Sequence, residues 1–218
     1  PRNIWLSRAP RPRLEAEMIR DQALAVSGLL SHKLYGPSVY PSQPAEIWQA
    51  AFSGERTWTT SLGEDQYRRA LYTFWRRTVP YPSLMAFDAP SREVCTFKRT
   101  PSNTPLQAFV TLNDPVFIGA AQALARNIQK DGGATVEDRA RWAWKRVTAR
   151  AADDRQVRIL VRLFQEALIQ FRKDASGALQ MAGTKPLGMS SEVSPAETAA
   201  WTVVANVLLN LDTVLTKG

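Results

Sequence analysis

The chain has 218 residues, of which 44% are hydrophobic and 22% charged, and these proportions exclude a fibrous or intrinsically disordered protein. Its 28 Lys and Arg outnumber its 20 Asp and Glu, so the net charge of +8 favours polyanionic partners. A single cysteine excludes an intrachain disulfide, and with a single histidine it argues against a zinc site of the Cys/His kinds.

The first predicted element is a helix over residues 14–30, in which Ile19, Ala23, Val26 and Leu30 recur at helical spacing. Residues 31–62 lose this periodicity. Their proline and glycine residues predict a long ordered loop, with at most short extended pieces around residues 58–60.

A second helix is predicted to begin just before Glu64 and to end at Pro80. Ser61 and Glu64 have the spacing of a capping box, in which each side chain bonds a backbone N–H of the first turn. Leu71 and Phe74 of this helix would face the core, and its arginines would face solvent.

Two further helices are predicted where a capping residue precedes proline, because proline at the first helical position loses no hydrogen bond. Thr104 starts one and Asp114 the other, which ends at Gly132 and Gly133. Residues 135–150 and 154–173 then form two amphipathic helices, whose short connection predicts an antiparallel hairpin. Residues 174–193 are predicted to be loop with at most one helical turn.

The last predicted helix runs from Pro195 to about residue 215, and Ser194 and Glu197 have capping-box spacing at its start. Asn206 and Asn210 lie one turn apart within it. Because a buried amide needs a partner, we expect both to bond the loop 87–107. The apolar run of this helix is shorter than the ~20 residues that cross a bilayer, so no membrane span is expected.

These elements predict an all-α fold, an irregular bundle of about seven helices with long ordered loops and little or no strand. We expect one helical domain over residues 1–218, and the first residues resemble the interior of a longer protein.

The loop 87–107 holds the main candidate site. In the structural interpretation, Arg92 and Arg99 anchor Asp88, Glu93 or backbone carbonyls, and Cys95 is buried as a small apolar residue. In the catalytic alternative, Asp88 and Glu93 divide acid and base roles. Ligand binding at an exposed edge would use Asp88, Arg92, Glu93, Arg99, Asn103 and Gln107.

No metal or other cofactor is expected. Glu17 and Asp21 share a helix face and could hold a divalent cation, but the arginines beside them favour salt bridges. His32 follows a helix end, where a partly positive imidazole is favourable. Glu17, Asp21 and His32 are the candidate metal ligands.

Three stretches, residues 13–41, 63–125 and 199–218, resemble the planctomycete PSD-one family, a domain of unknown function. The resemblance runs from about Arg13 to Leu215 and implies a C-terminal domain of a large exported protein, periplasmic or at the cell surface. Such proteins often carry a c-type cytochrome-like module upstream. The chain lacks the cysteine pair and histidine that attach haem. The family signature is Asp88, Pro90, Glu93, Cys95, Arg99, Asn103, Thr104, Pro105, Leu106, Gln107, Asn113 and Asp114, all present here.

The expected function is that of a non-enzymatic interaction domain, which docks to its own upstream domains or binds acidic polysaccharide. A hydrolase or lyase domain that acts on acidic or sulfated glycans through Asp88 and Glu93 is the alternative. Nucleic-acid binding through the basic surface comes third, because charge alone suggests it and an exported parent protein argues against it.

Overall fold

The computed structural model describes residue 5 and residues 11–44, 47–52, 57–183 and 194–217. Seven of the helices in this part of the chain have at least seven residues, and the only β pairing there consists of three isolated bridges. The all-α prediction is therefore confirmed. In chain order, the helices are α1 Ala16–Ser27, α2 Ile47–Phe52, α3 Pro82–Ala86, α4 Pro105–Asn113, α5 Pro115–Asp131, α6 Val136–Thr148, α7 Asp154–Lys173, α8 Ala175–Ala182, α9 Pro195–Leu209 and α10 Asp212–Leu215.

Helix α9 lies at the centre and packs on α5, α7 and α8. Ten of its fifteen residues are buried, which is typical of a helix surrounded by protein. Trp201 is fully buried and stacks on Phe164 of α7, with ring centroids 4.4 Å apart. Helix α1 packs on α5 from another side, so one apolar cluster extends from Ala16 to Leu215.

Local capping defines the central helices. The Asp114 side chain accepts a hydrogen bond from Val116 N at the start of α5, and Thr135 caps α6 in the same way. Asp153 and Gln156 form a capping box at the start of α7. Gly133 adopts a φ of +97°, and a Cβ there would lie 2.9 Å from Asp138 Cβ, so glycine is needed at this turn.

The predicted second helix is wrong. Residues 63–72 form only two short 3₁₀ helices, Gly63–Tyr67 and Ala70–Tyr72. The capping box does not form, because Ser61 Oγ accepts from Tyr40 N and Glu64 accepts from Ser31 Oγ. Leu71 is exposed instead of facing the core.

The segment instead pairs with residues 31–39. Ser31 N donates to Tyr67 O, and Phe74 N donates to Val39 O. Arg68 is buried, with its guanidinium donating to Pro37 O and lying 3.8 Å from the centre of the Tyr72 ring. Backbone N–H and C=O groups that would bond each other within a helix are thus bonded to residues 31–39 instead.

Four smaller differences concern the number and the lengths of the helices. The first helix is shorter than predicted, the loop 31–62 contains α2, and the last helix breaks after Leu209 before α10 begins. Residues 174–182, predicted to be mostly loop, contain α8, which Asp174 caps by accepting from Gly177 N. Part of the predicted loop 174–193 lies outside the described residues.

Within the described residues, no single helix has the length and apolarity needed to cross a membrane. Helices α4 and α5 reach them only as a pair, and they meet at an angle of 58°.

Candidate functional site

Asp88 organises the base of the loop 87–107. It has a φ of +63°, a left-handed conformation that aspartate tolerates better than most residues. Its carboxylate accepts from Ser102 N at 2.7 Å and from Ser102 Oγ at 2.8 Å. The amide of Gln107, in the first turn of α4, donates to the same carboxylate at 3.4 Å. These bonds close the loop across its base.

Gln107 connects this base to the N-terminal side of the bundle. Its side chain is only 1% exposed, and its Oε1 accepts from Arg13 at 2.7 Å. Gln107 Nε2 also donates to Ser102 Oγ at 3.1 Å. Every hydrogen-bonding atom of this buried amide therefore has a protein partner, as a buried polar group requires.

Arg99 joins the loop to α1. Its guanidinium donates to both carboxylate oxygens of Glu17, at 2.5 and 2.9 Å, and lies 3.3 Å from a Glu15 oxygen. Burial acts to raise the pKa of Glu17, but the hydrogen bonds and charge of Arg99 outweigh it and hold that pKa below its usual value. Arg99 was predicted to anchor Asp88, Glu93 or backbone carbonyls, but its partners are the carboxylates of Glu17 and Glu15 instead.

Arg92 lies over an aromatic ring instead of a carboxylate. Its guanidinium carbon is 4.9 Å from the centre of the Trp75 ring, and Trp75 Nε1 donates to Ser91 O at 3.1 Å. This cation–π contact holds the beginning of the loop against residues 73–77. The predicted bond from Arg92 to Asp88 or Glu93 is not present.

Residues 92–98 form the tip of the loop, and all seven are exposed. Phe97 is fully exposed and Val94 is 73% exposed. Cys95 is exposed as well, so the prediction that it is buried is wrong. The structural interpretation does not hold for residues 92–98. The polar side chains that anchor the loop, Asp88 and Arg99, lie before and after these residues rather than among them.

A small cleft of about 130 Å³ lies where the loop meets residues 13–15, immediately before α1. Asp88, Arg99, Pro101 and Phe87 line it from the loop side. Glu93 is not among its lining residues and belongs to the tip. The two carboxylates of the catalytic alternative therefore do not line one cleft together.

The sequence pattern of the PSD1 family, described as a protein of unknown function (DUF1553), matches residues 1–164. The chain belongs to this family. The match includes the loop 87–107 and its partners on α1, but not residues 199–218, which also carried the resemblance. No curated protein and no solved structure matches the chain. Because the PSD1 family is defined without a function, membership assigns no activity to these residues.

Three residues of this PSD1 chain that were predicted to cap helices, Thr104, Ser194 and Glu197, make no capping hydrogen bond. Thr104 and Ser194 precede α4 and α9 as predicted, but neither side chain bonds the helix backbone. Glu197 pairs with Arg139 at 2.7 Å instead of completing a capping box. Asn103, between Ser102 and Thr104, is exposed.

Both asparagines of the last helix segment bond α4 rather than the loop itself. Asn210 Oδ1 accepts from Thr111 Oγ1 at 2.6 Å, and Asn206 Nδ2 donates to Leu112 O at 3.4 Å. The prediction that both bond the loop 87–107 is therefore wrong, because their partners Thr111 and Leu112 lie in α4, the helix that follows the loop. These bonds attach α4 to the centre of the bundle.

The residues considered as metal ligands have other roles or lie apart. Glu17 binds Arg99, and Asp21 accepts from Ala70 N at 2.6 Å and from Arg69 at 3.0 Å. His32 is exposed beyond the end of α1. In the described ranges, no three His, Cys, Asp or Glu side chains are grouped to hold a metal ion.

Sequence reasoning missed three residues that hold this region together: Ser102, Arg13 and Arg20. Ser102 and Arg13 complete the bonds of Asp88 and Gln107. Arg20 is buried in α1 and donates to the carbonyls of Gln66 and Arg68, at 3.0 and 2.7 Å. An arginine on the apolar stripe of a helix was the available signal for Arg20, because such a residue is buried only with partners.

Asp114 makes the folding stability of this region depend on pH. It is buried, and burial raises the pKa of its carboxyl to about 6, although the Val116 N–H and the charge of Arg20 oppose the shift. The folded pKa thus exceeds the ordinary 3.8. Between these two values the folded state binds a proton that the unfolded state has released, so acidification from pH 7 towards 4 favours folding at this position.

Replacing Asp114 by asparagine should remove that dependence while keeping a capping side chain. We expect the free energy of unfolding of the wild type, minus that of D114N, to increase by about 2–3 kcal/mol between pH 7 and pH 4. Urea unfolding of both proteins at several pH values measures this difference. A difference that stays constant or decreases on acidification would contradict a raised pKa of Asp114 in the folded state.

Proposed function

We propose that this PSD1 chain is a non-enzymatic interaction domain that docks a neighbouring protein module through the tip and through one face of α4. The resemblance supports upstream domains of an exported, periplasmic or cell-surface parent protein as that module. The observation that carries the proposal is the set of large apolar side chains exposed in a segment whose base is held by partly buried polar contacts.

The exposed apolar residues fall into two groups. Val94 and Phe97 belong to the tip, and the α4 face consists of Leu106, Phe109 and Leu112. The spacing within α4 places its three residues along one side of the helix. Exposed apolar side chains that occur singly need no explanation, but a concentration of them in one segment is typical of interaction surfaces.

The polar contacts beneath these groups favour binding without much loss of entropy. Asp88 closes the base of the loop, Arg99 attaches it to α1, and Asn210 attaches α4 to the bundle. A surface whose supporting backbone is already ordered loses less conformational freedom when a partner binds. The polar side chains of the loop thus serve to present the apolar ones.

The hydrolase or lyase alternative receives less support from the geometry. A pair of carboxylates must flank one substrate bond to divide acid and base roles. The carboxylate of Asp88 already accepts from Ser102 and Gln107, whereas Glu93 lies in the exposed tip.

Binding of acidic polysaccharide is the second candidate function. The net charge of +8 supports it, as does a row of exposed cations on α7 formed by Arg155, Arg158 and Arg162. Nucleic-acid binding comes third, because only the charge supports it.

Docking can be tested by titrating the chain with a separately produced upstream part of its parent protein. We expect Phe97→Ser combined with Phe109→Ser to weaken this binding at least about tenfold, since aromatic side chains dominate interface energies. Isothermal titration calorimetry measures the dissociation constant. Both residues are exposed, so the variant should fold like the wild type.

The matched control is Leu179→Ser on α8, which changes a side chain that is 62% exposed but lies in neither group. It should leave the dissociation constant unchanged. Equal weakening by both variants, or no binding by the wild type at a concentration of about 100 μM, would contradict docking through the tip and α4.

A further inference from the structure

Helix α7 presents a row of cations to solvent. Arg155, Arg158 and Arg162 follow one another at spacings of three and four residues, which places them along one side of the helix. All three are exposed, and they extend over about 10 Å along the helix axis. The buried residues of α7 lie on its opposite side, and the helix packs on α6, α8 and α9. These three residues, the arginine row, therefore face away from the bundle.

The carboxylates near the arginine row leave it able to bind an anion. Asp154 pairs with Arg141 of α6 at 3.1 Å, and Glu166 lies 3.8 Å from Arg162. Within the described residues, the first two members of the row form no ion pair. The side chains of Arg162 and Glu166 are 73% and 68% exposed, and ion pairs this exposed contribute little free energy. An anionic ligand can therefore compete with Glu166 for Arg162.

The shape of this surface favours a ligand whose charges also lie along a line. A compact anion such as a single phosphate needs several donors that converge on one point, whereas the arginine row follows the convex outer side of a helix. Each guanidinium can bind a carboxylate through two parallel hydrogen bonds. Gln165, which is exposed and lies three residues after Arg162, adds an amide that can bond hydroxyl groups. Together these groups match an extended chain that carries both carboxylates and hydroxyls.

From this match we infer that the outer side of α7 binds a linear polysaccharide with repeated carboxylates, whose chain runs along the helix axis. The carboxylates pair with the arginine row, and hydroxyls beside the last of them bond Gln165. Single-stranded nucleic acid fits this surface less well, because its bases stack on aromatic side chains. The two aromatic residues of α7, Phe164 and Phe171, are buried and half-buried.

This inference rests on the second candidate function, the binding of acidic polysaccharide, and gives that function a site and a ligand geometry. It fails separately from docking. The docking variant changes Phe97 and Phe109, which lie outside α7, so it should bind the polysaccharide like the wild type. The variants described below leave both phenylalanines unchanged.

A first test compares four ligands by isothermal titration calorimetry: galacturonic acid, its hexasaccharide, the neutral galactose hexasaccharide and hexathymidylate. The acidic hexasaccharide should bind at least about tenfold more tightly than the monosaccharide, because only the longer ligand reaches the whole arginine row. Salt raised from about 50 to about 200 mM should weaken this binding about tenfold, because binding releases counterions. The neutral hexasaccharide and hexathymidylate should bind at least about fivefold more weakly than the acidic hexasaccharide.

A second test removes two members of the arginine row. Arg155→Gln combined with Arg158→Gln should weaken binding of the acidic hexasaccharide about five- to twentyfold, as expected for two exposed ion pairs. Glutamine has nearly the helix propensity of arginine, so the variant should fold like the wild type. The matched control is Arg77→Gln combined with Lys130→Gln, which removes the same charge from exposed positions outside α7. It should change the dissociation constant by less than about twofold, because exposed charges outside the binding surface are largely screened.

A third variant should bind more tightly than the wild type. Glu166→Gln removes the carboxylate that competes for Arg162, so it should strengthen binding of the acidic hexasaccharide about twofold. Its control is Glu137→Gln, which removes an exposed carboxylate from α6 and should leave the affinity unchanged.

Equal weakening by the two double variants would overturn the inference, because it would show that net charge alone attracts the ligand. Equal binding of the acidic and neutral hexasaccharides would overturn it as well, and so would weaker binding by E166Q. Binding of hexathymidylate as tight as that of the acidic hexasaccharide would assign the surface to nucleic acid instead. Absence of binding at about 1 mM acidic hexasaccharide would also overturn it.

Discussion

Replacing Arg20 by leucine should lower the free energy of unfolding by about 3–5 kcal/mol. Arg20 is only 1% exposed, and its guanidinium donates to the carbonyls of Gln66 and Arg68. Leucine would fill much of the volume but would leave both carbonyls without these donors. It would also remove a cation whose charge acts on the carboxyls of Asp21 and Asp114. Urea unfolding of both proteins measures the loss.

The loss should be concentrated in residues 63–74. Asp21, the neighbour of Arg20, accepts from Ala70 N, so two successive residues of α1 bind the same stretch of backbone. Native-state hydrogen exchange should therefore be faster at Ala70 and at Ser31, whose N–H bonds Tyr67 O, than in α9. Arg20→Lys keeps the charge but not the fork of donors, and its loss should lie between zero and that of R20L.

The control is Arg162→Leu on α7, where the arginine is exposed and only a surface pair with Glu166 at 3.8 Å is lost. It should cost less than about 0.5 kcal/mol. If R20L also costs less than about 1 kcal/mol, the backbone of residues 63–74 does not depend on Arg20.

Residues 63–74 depend on a distant side chain, whereas other elements depend on residues next to them, and only the latter could be predicted from the sequence. Helices α5, α6 and α7 carry their own signals, because Asp114, Thr135 and Asp153 each cap the helix that follows immediately. Helical spacing of the apolar residues then supplies the rest. Helix α8 also begins after a capping residue, Asp174, but with only eight residues it shows little helical periodicity and was predicted to be loop.

Residues 63–74 could not be predicted in the same way. Their arginines and aromatics have helical spacing, yet their backbone bonds Arg20, Ser31 and Val39, which lie far away in sequence. Tertiary contacts of this kind override local preference. A capping pattern such as that of Ser61 and Glu64 is therefore informative only if neither side chain is needed elsewhere.

The same distinction applies to the candidate site. Its general role was predictable, because an irregular loop needs polar side chains to satisfy its backbone, and Asp88 does this with Ser102. The partners of Arg99 were not predictable, since Glu17 is separated from it by 82 residues. Nor could the sequence separate the buried base of the loop from its tip, and Cys95 was assigned to the wrong part for that reason.

Replacing Asp88 by alanine should lower the free energy of unfolding by about 2–4 kcal/mol. Ser102 N and Ser102 Oγ would lose their acceptor, and a half-buried donor left unpaired costs about 1–3 kcal/mol. Alanine would also have to adopt the φ of +63°, which adds about 1–2 kcal/mol of strain. Chemical denaturation measures the total.

Two further variants separate these contributions. Asp88→Gly loses the carboxylate but adopts a positive φ without strain, so it should be more stable than D88A by about 1 kcal/mol. Asp88→Asn tolerates the conformation and keeps one acceptor, and it should be the most stable of the three. The amide of Ser102 should exchange faster in D88A and D88G than in D88N.

This order distinguishes a structural carboxylate from a catalytic one. A carboxylate kept for acid–base chemistry contributes little to folding, and its removal often leaves the stability unchanged or increased because active sites hold strain. Three variants as stable as the wild type would therefore contradict the assignment of Asp88 to the base of the loop. A loss that follows the order alanine, glycine, asparagine, with Glu93→Ala in the exposed tip costing less than about 0.5 kcal/mol, is the result that only the structural role predicts.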